Sequence, residues 1–106
     1  MPETMPIACS LDQSELSGRA RSMAELGESL LAVEADGRHA SLRFPTDRHQ
    51  ELEDFVRAES RCCPFFAFEL TVEQQTARLR VGAPEGGEWA VRGLVAGFAA
   101  GWGGLV

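Results

Sequence analysis

Two cysteines, Cys62 and Cys63, stand side by side in a chain that has only three. Adjacent Cα atoms across a trans peptide lie about 3.8 Å apart, short of the roughly 4.4–6.8 Å of an ordinary disulfide. A bond between these neighbours would be strained and easily reduced, so two reduced thiols at one place are the better expectation. Soft thiolates select soft ions, which suits the pair to a thiophilic metal or metalloid more than to Mg²⁺ or Ca²⁺. Cys9 can supply a third sulfur, although no spacing ties it to the pair. Glu59 and Arg61 are the supporting side chains. A helix C-terminus carries partial negative charge and disfavours a thiolate, which Arg57 and Arg61 can offset. A bound metal outweighs that field, because coordination itself deprotonates a thiol. Glu59 lies on an apolar stripe one turn before Cys62, where a carboxylate is costly without a partner. A salt bridge or hydrogen bond that fixes the helix is the favoured role, and a proton acceptor beside the thiols is the other.

The bland reading of the cysteines has equal standing. Free cysteine is among the most buried residue types and often serves as a small hydrophobe. Here Pro64-Phe65-Phe66 continues the apolar run directly after Cys63. Structural zinc is disfavoured, since no Cys-x-x-Cys knuckle occurs and a fourth ligand would have to be His39 or His49. Both histidines are more simply solvent-facing. A thiol enzyme needs an activated thiolate, yet no histidine is evident nearby and the helix end works against one. An enzyme is therefore the less favoured class, and no cofactor is expected beyond the ion.

The elements that must position these residues follow from periodicity. Asp12 and Glu15 form a capping-box pattern ahead of Leu16, Ala20 and Met23, and Gly27 is a natural stop. Leu31, Val33 and Ala35 alternate with Ala32 and Glu34 up to an Asp36-Gly37 turn. Ala40, Leu42 and Phe44 then alternate with Ser41 and Arg43 as far as Pro45, and Thr46 is placed to cap the next helix. Leu52, Phe55, Val56 and Glu59 share one stripe of that helix, which ends at the cysteines because Pro64 pushes its predecessor out of the helical region. A second hairpin sets Phe66, Phe68, Leu70 and Val72 against Ala67, Glu69 and Thr71. It turns near Gln74-Gln75 and returns through Ala77, Leu79 and Val81, with Arg78 and Arg80 facing water. Pro84-Glu85-Gly86 leads into a last helix on Val91, Leu94, Val95 and Phe98, with Trp102 near its end.

The order α-ββα-ββα, with one apolar and one polar face on every strand, predicts an α+β fold. Its architecture is a four-stranded antiparallel sheet with the helices packed on one face. Ala40-Ser41-Leu42-Arg43-Phe44 and Ala77-Arg78-Leu79-Arg80-Val81 suggest two related ββα units. The length of 106 residues fits one domain, residues 1–106, with flexible ends at 1–8 and 103–106.

Composition removes several classes of partner. Ten Lys and Arg against 16 Asp and Glu leave a formal charge of −6, so phosphate counterion release would not drive nucleic-acid binding. The polar sheet face offers no exposed aromatics for base stacking. Pro84-Glu85-Gly86-Gly87 opens a helix whose amides could hold an anion, yet it lacks the lysine and spacing of a nucleotide loop. The start has neither the basic cluster nor the apolar run of a signal peptide, and no apolar stretch approaches the ~20 residues of a membrane helix. A cytoplasmic protein with reduced cysteines is expected.

Glu59-Ser60-Arg61-Cys62-Cys63-Pro64-Phe65-Phe66, followed by Phe68-Glu69-Leu70-Thr71-Val72-Glu73, resembles a bacterial family of small uncharacterised proteins. Its hallmark is a Cys-Cys-Pro-Phe run ahead of an aromatic strand. Ala8-Cys9-Ser10-Leu11 and the Pro84-Glu85-Gly86 turn also look like that family, so the resemblance spans nearly the whole chain, although Gly82-Ala83-Pro84 stands where Gly-Pro is common. Such domains occur alone or alongside metal-responsive regulators of the mercury-resistance type. The resemblance thus implies a thiol-metal role for Cys9, Cys62 and Cys63. A metal ion, a second copy or a regulator of that type is the expected partner. The leading expectation is a soft-metal or metalloid binder for ions such as Hg(II) or As(III). The alternative is a structural or interaction module whose cysteines only pack.

Overall fold

Strict two-residue alternation is satisfied when one face of each strand meets a core and the other meets water. The computed structural model describes residues 13–100 and, within them, all side chains except those of residues 13–17, 19, 20 and 62. The elements run α1 (Gln13–Gly27), β1 (Ala32–Asp36), β2 (His39–Pro45), a single 3₁₀ turn (Thr46–Arg48), α2 (His49–Cys62), β3 (Ala67–Glu73), β4 (Thr76–Gly82) and α3 (Glu88–Ala99). The strands form one antiparallel sheet in the order β1-β2-β4-β3. This is the α+β fold expected from the periodicity, and none of the described helices is long and apolar enough to cross a membrane. Cys9, the Asp12 capping position, Trp102 and both chain ends lie outside the described residues, as does the Glu15 side chain.

The register explains how the two ββα units combine. Leu42 and Leu79, equivalent in the two similar segments, sit directly opposite each other where β2 pairs with β4. Both are fully buried. The central strand pair is thus related by an approximate two-fold through these leucines, and the outer strands β1 and β3 follow from the two hairpins. Each hairpin has a two-residue loop, Gly37-Arg38 between the paired Asp36 and His39, and Gln74-Gln75 between the paired Glu73 and Thr76. The first loop falls one residue later than an Asp-Gly turn would place it. Gly37, at φ +62°, takes the left-handed conformation that glycine enters without steric cost.

The inward residues of the strands join Met23, Leu26, Leu52, Phe55, Val91, Leu94 and Phe98 in one core. All six phenylalanines of the chain form a continuous series of ring contacts. Phe65 meets Phe66, Phe66 meets Phe68, Phe68 meets Phe55, Phe55 meets Phe98 and Phe98 meets Phe44, at centroid distances of 4.5–6.1 Å. Helix α1 closes against α3 at Gly27, where a methyl group would collide with the carbonyl of Phe98.

On the opposite face, Arg43 and Arg78 are direct cross-strand neighbours, an arrangement that like charges disfavour. Glu73 resolves it. One carboxylate oxygen accepts a hydrogen bond from Arg43 at 3.0 Å and the other lies 3.8 Å from Arg78. These groups are about one-third exposed, so the Glu73→Gln change is expected to cost only about 0.5–1 kcal/mol in thermal denaturation. An unchanged melting temperature would mean that water, not Glu73, screens the arginine pair.

Two local expectations are corrected. Thr46 caps no helix: the residues preceding the 3₁₀ turn and α2 are Pro45 and Arg48, neither with a side-chain cap, and the Thr46 hydroxyl is buried without a hydrogen-bond partner. The 3₁₀ turn intervenes, moving the start of α2 beyond the threonine's reach. Val72, placed by alternation on the core side, is 48% exposed, because β3 is an outer strand and the helical cover runs out along it.

Candidate thiol site

Helix α2 owes its orientation to its stripe. Leu52 and Phe55 are buried and Val56 packs against the core, while Gln50, Glu51 and Asp54 stay exposed or only half-buried. Phe55, Glu59 and Cys63 follow at intervals of four, so one ridge carries them toward the sheet. Glu59 is 2% exposed and Cys63 fully buried. Cys62 is the last residue of α2, and its side chain lies outside the description.

The backbone of Cys63 is held from both sides. Its N–H donates to the Glu59 carbonyl at 2.6 Å, and its own carbonyl accepts from the Phe66 N–H at 3.1 Å. The second bond closes a turn over Pro64-Phe65, with proline at the position where its fixed φ is favourable. The Cys-Cys-Pro-Phe run is thus a helix terminus and a tight turn feeding the aromatic series. Cys63 is the residue around which the chain reverses.

Cys63 is also disulfide-bonded. Its partner sulfur lies outside the described side chains, Cys9 and Cys62 being the other two cysteines of the chain. The expectation of a reduced, solvent-reachable thiol at Cys63 is therefore not met. The physical reason is position: the Phe55-Glu59-Cys63 ridge points into the core, and a buried sulfur there is shielded from solvent. With three cysteines in the chain, one disulfide accounts for two and leaves a single thiol.

Glu59 has an interaction partner, as a buried carboxylate requires. Arg61 is exposed. Arg57 is also exposed and lies 3.4 Å from Asp54, an i,i+3 surface pair. His39 is exposed, and His49 is about one-third exposed with its Nε2 3.9 Å from Glu53. Among the described residues, no three His, Cys, Asp or Glu side chains gather in a metal-holding group.

Sequence reasoning missed one feature. A groove of about 300 Å³ lies between α2 and β3, lined by His49, Glu53, Val56, Arg57 and Leu70. It belongs to the part of α2 remote from the cysteines, and it arises where two elements meet, β3 being an outer strand of the sheet. No protein-family model, curated protein or solved structure matches the chain.

Proposed function

We propose that this protein is a soft-metal or metalloid thiol-binding module whose site is closed as a disulfide and opened by reduction. The observation that carries the reading is the oxidised Cys63 at the end of α2, with a second cysteine directly before it in the chain. Two electrons and two protons convert the disulfide to two thiols. One divalent soft ion then displaces two thiol protons to form two metal–sulfur bonds, and the third cysteine is available as a further ligand. In a reducing compartment the open form prevails. The Cys-Cys-Pro-Phe resemblance, with its link to mercury-resistance-type regulators, supports the same reading.

A second reading is favoured by one specific observation, the complete burial of Cys63 within the core. In it the disulfide is a structural tie and the domain is an interaction module. The two separate on the Cys62→Ser/Cys63→Ser variant, compared with the reduced parent by Hg(II) titration. The metal-binding reading expects at least about a hundredfold loss of affinity, because hard hydroxyl oxygens replace soft sulfurs. Equal affinity in the two proteins would leave only the structural role.

A further inference from the structure

We propose that the outer edge of β3, which no described residue pairs, joins the same edge of a second copy, making a continuous eight-stranded antiparallel sheet about a two-fold axis at Leu70. Among the described residues β3 pairs only with β4, and an unpaired strand edge is a template for another strand. The occupant is argued from the sequence of the strand itself. For the helix-bearing sides of two copies to coincide, the two-fold must pass through a residue, because side chains alternate with a period of two. Three centres pair five or more residues of Ala67–Glu73. A centre at Glu69 opposes two Glu69 carboxylates, and one at Thr71 opposes Glu69 with the partner's Glu73. The centre at Leu70 pairs all seven residues. It sets Leu70 on the partner's Leu70, Phe68 on the partner's Val72, Glu69 on the partner's Thr71 and Ala67 on the partner's Glu73, with no like charges directly opposite.

The surroundings fit that register. Val72, 48% exposed in the single chain, gains an aromatic neighbour. The groove between α2 and β3, to whose lining Val56 and Leu70 contribute the apolar part and His49, Glu53 and Arg57 the polar part, can receive the partner's leucine. The other outer strand excludes itself: the full pairing of Ala32–Asp36 with its own copy would place Glu34 against Glu34. The association is therefore isologous and specific to β3. A seven-residue pairing is small among interfaces, below about 1,200 Å² in total, so micromolar rather than nanomolar affinity is expected.

Sedimentation velocity of the full chain over a concentration series tests this. The parent should approach the dimer mass, and Thr71→Glu should weaken association at least about tenfold by opposing Glu69 twice across the axis. Thr71 is exposed and faces Arg78 within its own chain, so the new carboxylate gains an internal partner and the fold is retained. Glu69→Lys combined with Thr71→Glu should restore the dimer by making both crossings attractive, and Glu34→Lys should leave it unchanged. A parent that stays monomeric up to about 1 mM overturns the proposal. So does a dimer indifferent to Thr71→Glu or abolished by Glu34→Lys.

Discussion

Reducing the disulfide at Cys63 should lower the stability of the fold by about 2–4 kcal/mol where the bond closes the long loop to Cys9, and by far less where it joins the adjacent Cys62, because a cross-link stabilises by restricting the unfolded chain. For a domain of this size, each kcal/mol corresponds to roughly 4 °C or more of melting temperature. The expected shift is therefore large enough to read from a pair of thermal melts with and without reductant. The Cys63→Ala variant should melt near the reduced parent, because the buried position accepts a small apolar side chain. Soft-ion binding should recover part of the loss in the reduced parent, since a ligand that prefers the native state stabilises it by mass action. It should recover clearly less in Cys63→Ala, which lacks one of the three sulfurs. A reduced parent that melts as the oxidised one does would show that the bond contributes nothing to the fold.

The second large effect belongs to the aromatic series. Phe98 is fully buried and is the link between Phe44 on the central strand and Phe55 on α2, at 5.5 and 5.1 Å. Truncation to alanine removes both edge-on contacts and leaves a cavity where α3, α2 and the sheet meet. The expected cost is about 3–5 kcal/mol, measured by urea denaturation. Phe98→Leu should lose clearly less, because more of the volume is retained. A cost below about 1 kcal/mol for the alanine variant would mean that the neighbouring side chains collapse into the space.

Much of the fold was legible because its signals are periodic. Leu42, Phe44, Leu79 and Val81 alternate with charged or small polar residues, and each run ends at a turn, so strand number, antiparallel order and the buried face all follow. The similarity of Ala40–Phe44 to Ala77–Val81 pointed to two related ββα units, and their equivalent leucines, Leu42 and Leu79, face each other in the sheet. Less was legible where the answer depended on neighbours distant in sequence. Alternation assigns Val72 to the core side but does not say how far along β3 the helix reaches. Thr46 has the chemistry of a cap, yet the inserted 3₁₀ turn removes it from the helix it would serve. The groove at His49, Val56 and Leu70 arises from two elements meeting, and no local pattern encodes it.

The cysteine site divides along the same line. Its place at the helix end could be read from Pro64, and the buried ridge from the four-residue spacing of Phe55, Glu59 and Cys63. Oxidation of Cys63 could not, because a disulfide depends on which sulfurs the fold brings within bonding distance. The argument from adjacent Cα atoms bears only on a bond between Cys62 and Cys63, and carries no information about a distant partner.

The most direct test is titration of the same protein with Hg(II) before and after reduction, with the reductant removed, following thiolate–mercury absorption in the ultraviolet. A redox-gated soft-ion site predicts a steep, saturating rise at one ion per reduced chain and a far weaker response from the oxidised chain, which retains a single thiol. Superimposable curves, or a reduced chain that takes up no ion tightly, would contradict it.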